Sequence, residues 1–225
     1  MGDRNAILEK ALREKRTTLS EHESKEFLRT YGIPVTREVE LRDPGELEKA
    51  LQEIPFPLVM KASSPKIAHK SERGLVRTDI RTLEEARETF RDITARMGEA
   101  DGAVLVQEMV RGQRELMVGL VRDPQFGPCV MFGLGGIFTE ILQDVAFRVA
   151  PLEPRDAIEM IREIRAHKIL EAVRGLPAAD TDLLSHILVT VGNIGLENDK
   201  IREIDINPMI LSGSRPVAVD ALIVL

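Results

Sequence analysis

Four side chains with oxygen donors lie close together near the C terminus. Glu203, Asp205 and Asn207 alternate in "EIDIN", and Asp220 follows in "AVDAL". Alternate residues of a strand face the same side, and a paired strand can bring Asp220 to the same place. Carboxylates on so apolar a sheet are costly unless a cation satisfies them, and oxygen donors without nearby His or Cys suit Mg²⁺. The alternative is that these acids form ion pairs with arginines such as Arg202.

A lysine and a glycine-rich segment offer groups that could bind phosphate. Lys61 lies at the end of the apolar stretch "FPLVMKAS", and Gly133, Gly135 and Gly136 lie together in "GLGG". A lysine in this position either contacts a phosphate or extends its ammonium to solvent. Glycines allow backbone amides to approach a phosphate closely, but they also form ordinary turns. Neither feature identifies a phosphate site by itself.

The segment "SSPKIAHKSERGLV" predicts a loop that carries a lone histidine, His69. Ser64, Pro65 and Gly74 favour irregular structure. Cations surround the histidine in the sequence. Taken alone, a single surface histidine is more often structural than catalytic.

The composition excludes several classes of protein. The chain has 225 residues, a net charge of -6 and one cysteine. There is no general excess of positive charge of the kind that attracts nucleic acid. A single cysteine, Cys129, excludes an internal disulfide framework and indicates a reducing compartment; its apolar neighbours predict a buried, structural thiol. No segment resembles a signal peptide or approaches the ~20 apolar residues that span a bilayer, so we expect a cytoplasmic protein without membrane association.

Hydrophobic patterning predicts strands that alternate with amphipathic helices, which is typical of the α/β and α+β classes. Capping boxes at Ser20 with Glu23 and at Thr82 with Glu85 predict two helix starts. Residues 1–18 form a predicted helical extension. "FPLVMKAS" is a predicted buried strand.

The central region predicts three antiparallel strands, "AVLVQEMV", "RELMVGLVRD" and "FGPCVMF". The short connection 111–113 predicts that the first two form a hairpin. Residues 154–198 are predicted to be helical, with a break at Pro177. Two final strands, "IREIDINPMIL" and "RPVAVDALIVL", are joined by a predicted turn at 212–214.

Three blocks together resemble the ATP-grasp domain of the NDP-forming acyl-CoA synthetases, and most closely the β subunits of ADP-forming acetyl-CoA synthetases. They are "PLVMKASSPKIAHKSERGLV", the segment from "VLVQEMV" to "VAPL", and "EIDINPMI" with "AVDA". The resemblance covers residues 19–225. It implies an α+β ATP-grasp fold with two subdomains and the nucleotide between these two α+β lobes. It also implies an acid–thiol ligase subunit that couples acyl-CoA + ADP + phosphate to acid + CoA + ATP through phosphohistidines.

The resemblance assigns roles to individual residues. His69 matches the histidine that carries the phosphoryl group, with Lys66, Lys70, Glu72 and Arg73 as charge partners in its loop. The resemblance also implies phosphate contact for Lys61 and nucleotide contact for Glu108 and Glu115. It implies Mg²⁺ ligation by Asn207 and Asp220, with Asp205 a weaker ligand. Phosphoryl oxygens are expected to be stabilised by Arg148 and by the amides of Gly133, Gly135 and Gly136.

The resemblance also implies partners and leaves alternatives open. The chain lacks a segment like the CoA-binding domain of the family, so a separate CoA-binding α subunit is expected, in an α2β2 assembly. The expected ligands are Mg²⁺ and ATP or ADP. Glu72 and Leu75 depart from the family pattern of Asp and Gly, which leaves open a nucleotide-binding regulatory subunit without phosphotransfer. A succinyl-CoA synthetase-like β subunit is the other alternative.

Overall fold

The computed structural model describes residues 4–64, 74–98, 102–136 and 144–225. The chain divides into two compact units. The small unit comprises Ser20–Glu23 and Thr36–Met109, and the large unit comprises Met1–Leu19, Ser24–Val35 and Val110–Leu225. Each unit has its own apolar core.

The described helices begin where the sequence supplies caps. Ser20 and Glu23 form the predicted capping box, because the Ser20 amide donates to the Glu23 carboxylate and the Glu23 amide donates to the Ser20 hydroxyl. Thr82 and Asp180 accept hydrogen bonds from amides in the first turns of two later helices. The α-helices are α1 (Arg4–Arg13), α2 (Glu21–Thr30), α3 (Leu47–Glu53), α4 (Leu83–Met97), α5 (Pro154–Glu163) and α6 (Thr181–Glu197), with 3-10 turns at Pro44–Glu46 and His167–Leu170.

The small unit contains a four-stranded antiparallel sheet with two different faces. One face packs on α4 and its core includes Met60, Ala62 and Val106. The other face carries polar side chains, among them Lys61, Gln107 and Glu40, together with buried apolar ones such as Leu105 and Val59. In sheet order, the strands are β1 (Glu38–Leu41), β4 (Ala103–Glu108), β2 (Leu58–Ser63) and β3 (Val76–Ile80).

The large unit contains a six-stranded antiparallel sheet. Its inner face packs on α5 and α6 through residues such as Leu120, Val130 and Ile204, which are buried. The strands are β5 (Glu115–Asp123), β6 (Gly127–Leu134), β7 (Val145–Val149), β8 (Glu203–Ser212), β9 (Arg215–Ala218) and β10 (Leu222–Val224), in the order β10-β8-β5-β6-β7 with β9 also paired to β8.

Two predictions of strand pairing are wrong. β4 and β5 do not form a hairpin, because β4 is paired with β1 on one side and with β2 on the other, whereas β5 pairs with β6 and β8. The final predicted strand is two strands, β9 and β10, separated by residues 219–221. The antiparallel pairing of β5 with β6, the α+β class and the buried strand β2 are confirmed.

Leu75 has a clear structural role. Its side chain is fully buried in the core of the small unit, and its carbonyl accepts a hydrogen bond from the Ala62 amide. The departure from glycine at this position therefore contributes apolar packing. At the other end of the chain, Leu8 and Ala11 of α1 are buried in the core of the large unit. Among the described helices, none combines the length and apolar character needed to cross a bilayer.

Candidate functional site

The oxygen donors of the C-terminal region lie around an irregularity in β8. Along β5, Leu116 and Val118 are two residues apart, but their partners on β8, Met209 and Ile206, are three apart. This extra residue is a β-bulge at Asn207 and Pro208, and bulges commonly redirect side chains beside functional sites. The sequence pattern alone did not reveal it.

Asp205 lies close to two other carboxylates. Burial, followed by the negative charges of Glu203 and Asp220, raises the pKa of Asp205 to about 6. One of its carboxylate oxygens, Oδ1, is buried and has no hydrogen-bond partner among the described residues. Desolvation and like charges both disfavour the ionised carboxylate, so a cation at this position would relieve both effects.

Asn207 connects this cluster with the glycine-rich segment. The Gly136 amide donates to Asn207 Oδ1 at 3.2 Å, and the Gly135 amide donates to the Glu115 carbonyl at 2.8 Å. Gly136 has φ +62°, and a Cβ at this position would overlap the Glu115 carboxylate. The structure therefore brings Glu115, Gly135, Gly136 and Asn207 together. A side-chain carbonyl oxygen has two acceptor positions, so Asn207 can hold the amide and still ligate a metal.

Helix α2 supports the segment that carries Asp220. Lys25 is fully buried, and its ammonium donates to the Val219 carbonyl at 3.3 Å. The Ile223 amide donates to Ser24 Oγ at 3.2 Å. Side chains of one helix thus bind the backbone on both sides of Asp220, a contact that sequence spacing gave no means of finding.

The donors of the cluster decide which metal it could hold. In the described ranges, no group of three or more His, Cys, Asp and Glu side chains is arranged to hold a metal ion. The available donors are instead the carboxylates of Asp205 and Asp220 with the Asn207 amide oxygen, all of them oxygen atoms. Mg²⁺ commonly binds through one or two carboxylates and completes its shell with water and substrate phosphate, so these residues fit that ion.

Lys61 lies in the small unit and is not exposed at a strand end. Its ammonium donates to Glu21 Oε1 at 2.8 Å, and the two side chains are only 6% and 1% exposed. Glu21 belongs to α2, forty residues earlier in the sequence. Of the two alternatives for Lys61, extension of the ammonium into solvent does not fit this burial, and Glu21 is a neighbour that the sequence motifs did not reveal.

Glu108 ends β4 and is bound by an arginine of the same unit. Its carboxylate accepts from the Arg37 amide at 2.9 Å and from Arg37 Nε at 2.8 Å. The Glu108 side chain is 25% exposed and that of Arg37 is 64% exposed. The pair fixes the position of Glu108 at the point where the chain leaves the small unit.

Arg148 lies on the other face of the large sheet from Asp205. The register across β7, β6, β5 and β8 places Arg148 in the same row as Ile204, on the face that packs on the helices. Its guanidinium contacts the Glu163 carboxylate of α5 at 2.5 Å. Arg148 is thus not brought together with Asp205 and Asn207.

The loop that carries His69 lies outside the described residues, together with Lys66, Lys70, Glu72 and Arg73. Gly133 is described and pairs with Met117 of β5 and Val145 of β7, so its amide belongs to the sheet and not to the turn at Gly136. Of the remaining histidines, His22 contacts Glu38 and His167 contacts the Ile164 carbonyl.

Comparison with known families agrees with these features. A model of the ATP-grasp domain matches residues 10–225. The chain belongs to the ATP-grasp family. This ATP-grasp chain is 49% identical to the acetate–CoA ligase [ADP-forming] I subunit beta of Pyrococcus furiosus, over 97% of its own length and 96% of that relative. The similarity places it among the β subunits of the ADP-forming acetate–CoA ligases.

Longer relatives contain the same domain. The ATP-grasp chain is 41% identical to acetate–CoA ligase [ADP-forming] I of Archaeoglobus fulgidus, over 88% of its own length but only 30% of that protein. In that relative, the matching region is therefore one part of a longer polypeptide.

Solved structures of an acetyl-CoA synthetase from Ca. Korarchaeum cryptofilum have the same fold. A complex with coenzyme A and Ca-AMPCP superposes with a TM-score of 0.94 at 43% identity, covering 99% of the ATP-grasp chain and 100% of the matched chain. A second complex, with coenzyme A and Mg-AMPPCP, has a TM-score of 0.88 at the same identity and coverage, and its phosphohistidine segment points towards the nucleotide binding site.

Proposed function

We propose that this chain is the nucleotide-binding β subunit of an ADP-forming acetyl-CoA synthetase. It binds Mg-ADP or Mg-ATP and transfers a phosphoryl group between a phosphohistidine and the nucleotide. The overall reaction couples acyl-CoA, ADP and phosphate to acid, CoA and ATP. A cytoplasmic location, indicated by the single cysteine, stays a prediction.

One observation carries the proposal. The bulged strand β8 holds Asn207 against the Gly136 amide, and the same strand holds Asp205 within the electrostatic influence of Asp220. A glycine turn of the kind that accommodates phosphate and oxygen donors suited to a hard cation therefore meet in one part of the large unit. A nucleotide with its magnesium ion requires this combination.

The residues have distinct proposed roles in binding. Asn207 and Asp220 would hold the magnesium ion, with Asp205 as a weaker ligand, and the bound ion would neutralise charge on the phosphate oxygens. Lys61 contacts a phosphate through its ammonium. The amides of the glycine turn are proposed to contact phosphate oxygens. Because the Gly135 and Gly136 amides donate to the Glu115 carbonyl and to Asn207 Oδ1, contact with phosphate requires release of these two hydrogen bonds.

Three further assignments stay predictions from the resemblance. Glu108 and Glu115 are proposed to contact the nucleotide. For Arg148, the contact with Glu163 and its place on the helix-covered face argue against a direct role unless the side chain is released. Gly133 supports the turn through its sheet pairing.

In the proposed chemical step, phosphohistidine at His69 passes its phosphoryl group to ADP. The β-phosphate oxygen of ADP forms a new P–O bond, the P–N bond to the imidazole breaks, and the imidazole nitrogen keeps the electron pair. The reverse step uses that neutral nitrogen as the nucleophile on ATP. Lys66, Lys70 and Arg73 offset the charge of the phosphoryl group, and Glu72 orients the imidazole or its neighbours.

The reaction requires a CoA-binding α subunit, which we propose forms an α2β2 complex with this chain. The name of the Pyrococcus furiosus relative as a beta subunit supports a separate partner, and the longer Archaeoglobus fulgidus protein supports a functional connection with other domains. Synthesis of acetyl-CoA from ATP, acetate and CoA by the isolated β chain would contradict this part of the proposal.

Phosphoryl labelling of the co-purified α–β complex tests the chemical step. After incubation with labelled phosphate and acetyl-CoA, we expect acid-labile label on this chain, and we expect His69→Ala to abolish it. Addition of ADP should move the label into ATP. Label confined to the α subunit would refute the relay and favour a regulatory role for this chain.

Substitution of a metal ligand tests the binding site. Asp220→Ala should weaken Mg-ADP binding by about tenfold or more, since a carboxylate contact to a cation is lost, while the circular dichroism spectrum stays unchanged. Asp199→Ala is the matched control, because the Asp199 side chain is 93% exposed. Equal Mg-ADP affinity in the two variants would remove Asp220 from the ligand set.

A further inference from the structure

We propose that Glu21 is the positioning residue for Lys61, and that it holds the lysine ammonium in place for contact with nucleotide phosphate. The inference rests on the proposed function of Lys61. Glu21 lies outside the three sequence blocks that carry the family resemblance. The inference adds it to the residues on which phosphate binding depends.

The contact between the two residues is direct and buried. Lys61 Nζ lies 2.8 Å from Glu21 Oε1, and both side chains are almost completely buried. A buried ammonium without a charge partner is strongly disfavoured, because burial removes its hydration. Glu21 therefore supplies the counter-charge that allows a charged lysine at this position.

The surroundings of Lys61 explain why the charge needs a fixed partner. Lys61 shares one face of the small sheet with Glu40, Ser63 and Gln107. Ser63 Oγ already donates to Glu40. The other face of the same strand is apolar core. The same face also carries the buried apolar residues Val59, Ala103 and Leu105, so the ammonium lies in a buried setting where its direction depends on its hydrogen-bond partners.

Glu21 is itself held from both sides in the sequence. The capping box of Ser20 and Glu23 fixes the first turn of α2. The next residue, His22, contacts the buried Glu38 carboxylate through Nδ1 at 2.9 Å. The Glu21 backbone is therefore anchored at its neighbours, and burial of its side chain restricts where the carboxylate can lie.

The pair does not prevent phosphate contact. A lysine ammonium has three N–H donors, so a contact with a carboxylate and a contact with a phosphate are compatible. Loss of Glu21 would remove a partner that orients the ammonium and favours its charged form. The expected effect is therefore weaker binding of the phosphate groups, without an effect on the nucleoside.

Calorimetry on the co-purified α–β complex can test this inference with two ligands. We expect Glu21→Gln to weaken Mg-ADP binding by about tenfold or more, since a charge-assisted contact is lost, and to leave adenosine binding unchanged. Glu26→Gln is the matched control, because Glu26 lies on the same helix, and its side chain, which is 34% exposed, pairs with Arg29. The control should bind both ligands as the parent does.

Three further variants separate the possible outcomes. Lys61→Met should weaken Mg-ADP binding at least as much as Glu21→Gln, and the double variant should be no weaker than Lys61→Met alone. Glu21→Asp keeps the charge on a shorter side chain and should recover part of the affinity if Glu21→Gln folds poorly.

The inference is overturned, with the proposed function intact, if Lys61→Met loses Mg-ADP affinity but Glu21→Gln does not. Tighter Mg-ADP binding by Glu21→Gln would also overturn it, since Glu21 would then compete with phosphate. An equal loss of adenosine and Mg-ADP binding would show a purely structural role. Unchanged Mg-ADP binding in Lys61→Met would instead refute the proposed phosphate contact of Lys61.

Discussion

Substitution of Gly135 by alanine should separate the glycine turn from β5. The Gly135 amide donates to the Glu115 carbonyl at 2.8 Å, and the two backbones approach closely around this bond. A Cβ at position 135 would lie 2.5 Å from the Leu116 carbonyl oxygen and 2.8 Å from its carbonyl carbon. Backbone atoms of a central strand cannot rotate away as a flexible side chain can.

The cost can be worked from these distances. Carbon and oxygen atoms in close contact normally lie about 3.3 Å apart, so the turn must move by about 0.8 Å. Overpacking of this kind costs about 1–3 kcal/mol, and weakening of the hydrogen bond adds about 1 kcal/mol. We expect Gly135→Ala to lower the free energy of unfolding by about 3 kcal/mol.

Urea unfolding followed by circular dichroism measures this change, since the chain has no tryptophan. Gly127→Ala is the matched control, because Gly127 has φ +77° and a Cβ at this position would meet no atom within 4 Å beyond its chain neighbours. Backbone strain alone should cost about 1 kcal/mol there. Mg-ADP affinity should fall in Gly135→Ala and stay unchanged in Gly127→Ala.

The close-approach reasoning is refuted if Gly135→Ala is as stable as Gly127→Ala or more stable. A loss of stability without any loss of Mg-ADP affinity would retain the packing explanation. It would remove the glycine turn from the proposed phosphate contacts.

Two further predictions concern the large unit. Arg114 is 4% exposed and donates to four backbone carbonyls. Arg114→Met should therefore lower the free energy of unfolding by about 4 kcal/mol in the same urea assay. The control Arg155→Met removes an exposed ion pair within a helix and should change the free energy of unfolding by less than about 0.5 kcal/mol. Similar stability of the two variants would contradict this. Cys129 is partly exposed, so the prediction of a buried thiol is wrong, but partial desolvation and the charge of Asp123 raise the pKa of the Cys129 thiol. Only the thiolate reacts with iodoacetamide, so at pH 8 Cys129 should be modified more slowly in the folded protein than in the urea-unfolded chain. The pH midpoint of the reaction should also be higher in the folded protein. Equal midpoints would exclude the raised pKa.

Local patterns in the sequence were sufficient for much of the secondary structure. The capping box at Ser20 predicted the start of α2, and the apolar run before Lys61 predicted the buried strand β2. These features depend on neighbours within a few residues, so periodicity and side-chain chemistry reveal them.

Strand pairing was predicted less well. The short connection between β4 and β5 favoured a hairpin, yet both edges of β4 pair with other strands. Which strands pair depends on the summed contacts of two cores, and a short connection contains none of that information. The same limit applies to Arg148, whose face of the sheet is set by its register with β6 and not by its motif.

The sequence alone determined which donors are available: an all-oxygen set near the C terminus, a glycine-rich segment, a lysine after an apolar run and a histidine in a cation-rich loop. Only the tertiary structure decided which of them meet. It paired Lys61 with Glu21 across forty residues and placed the Gly136 amide on Asn207 across seventy-one. The physical reason is that side-chain type and helix or strand period are local properties, whereas burial, charge partners and face depend on segments distant in sequence that fold against one another.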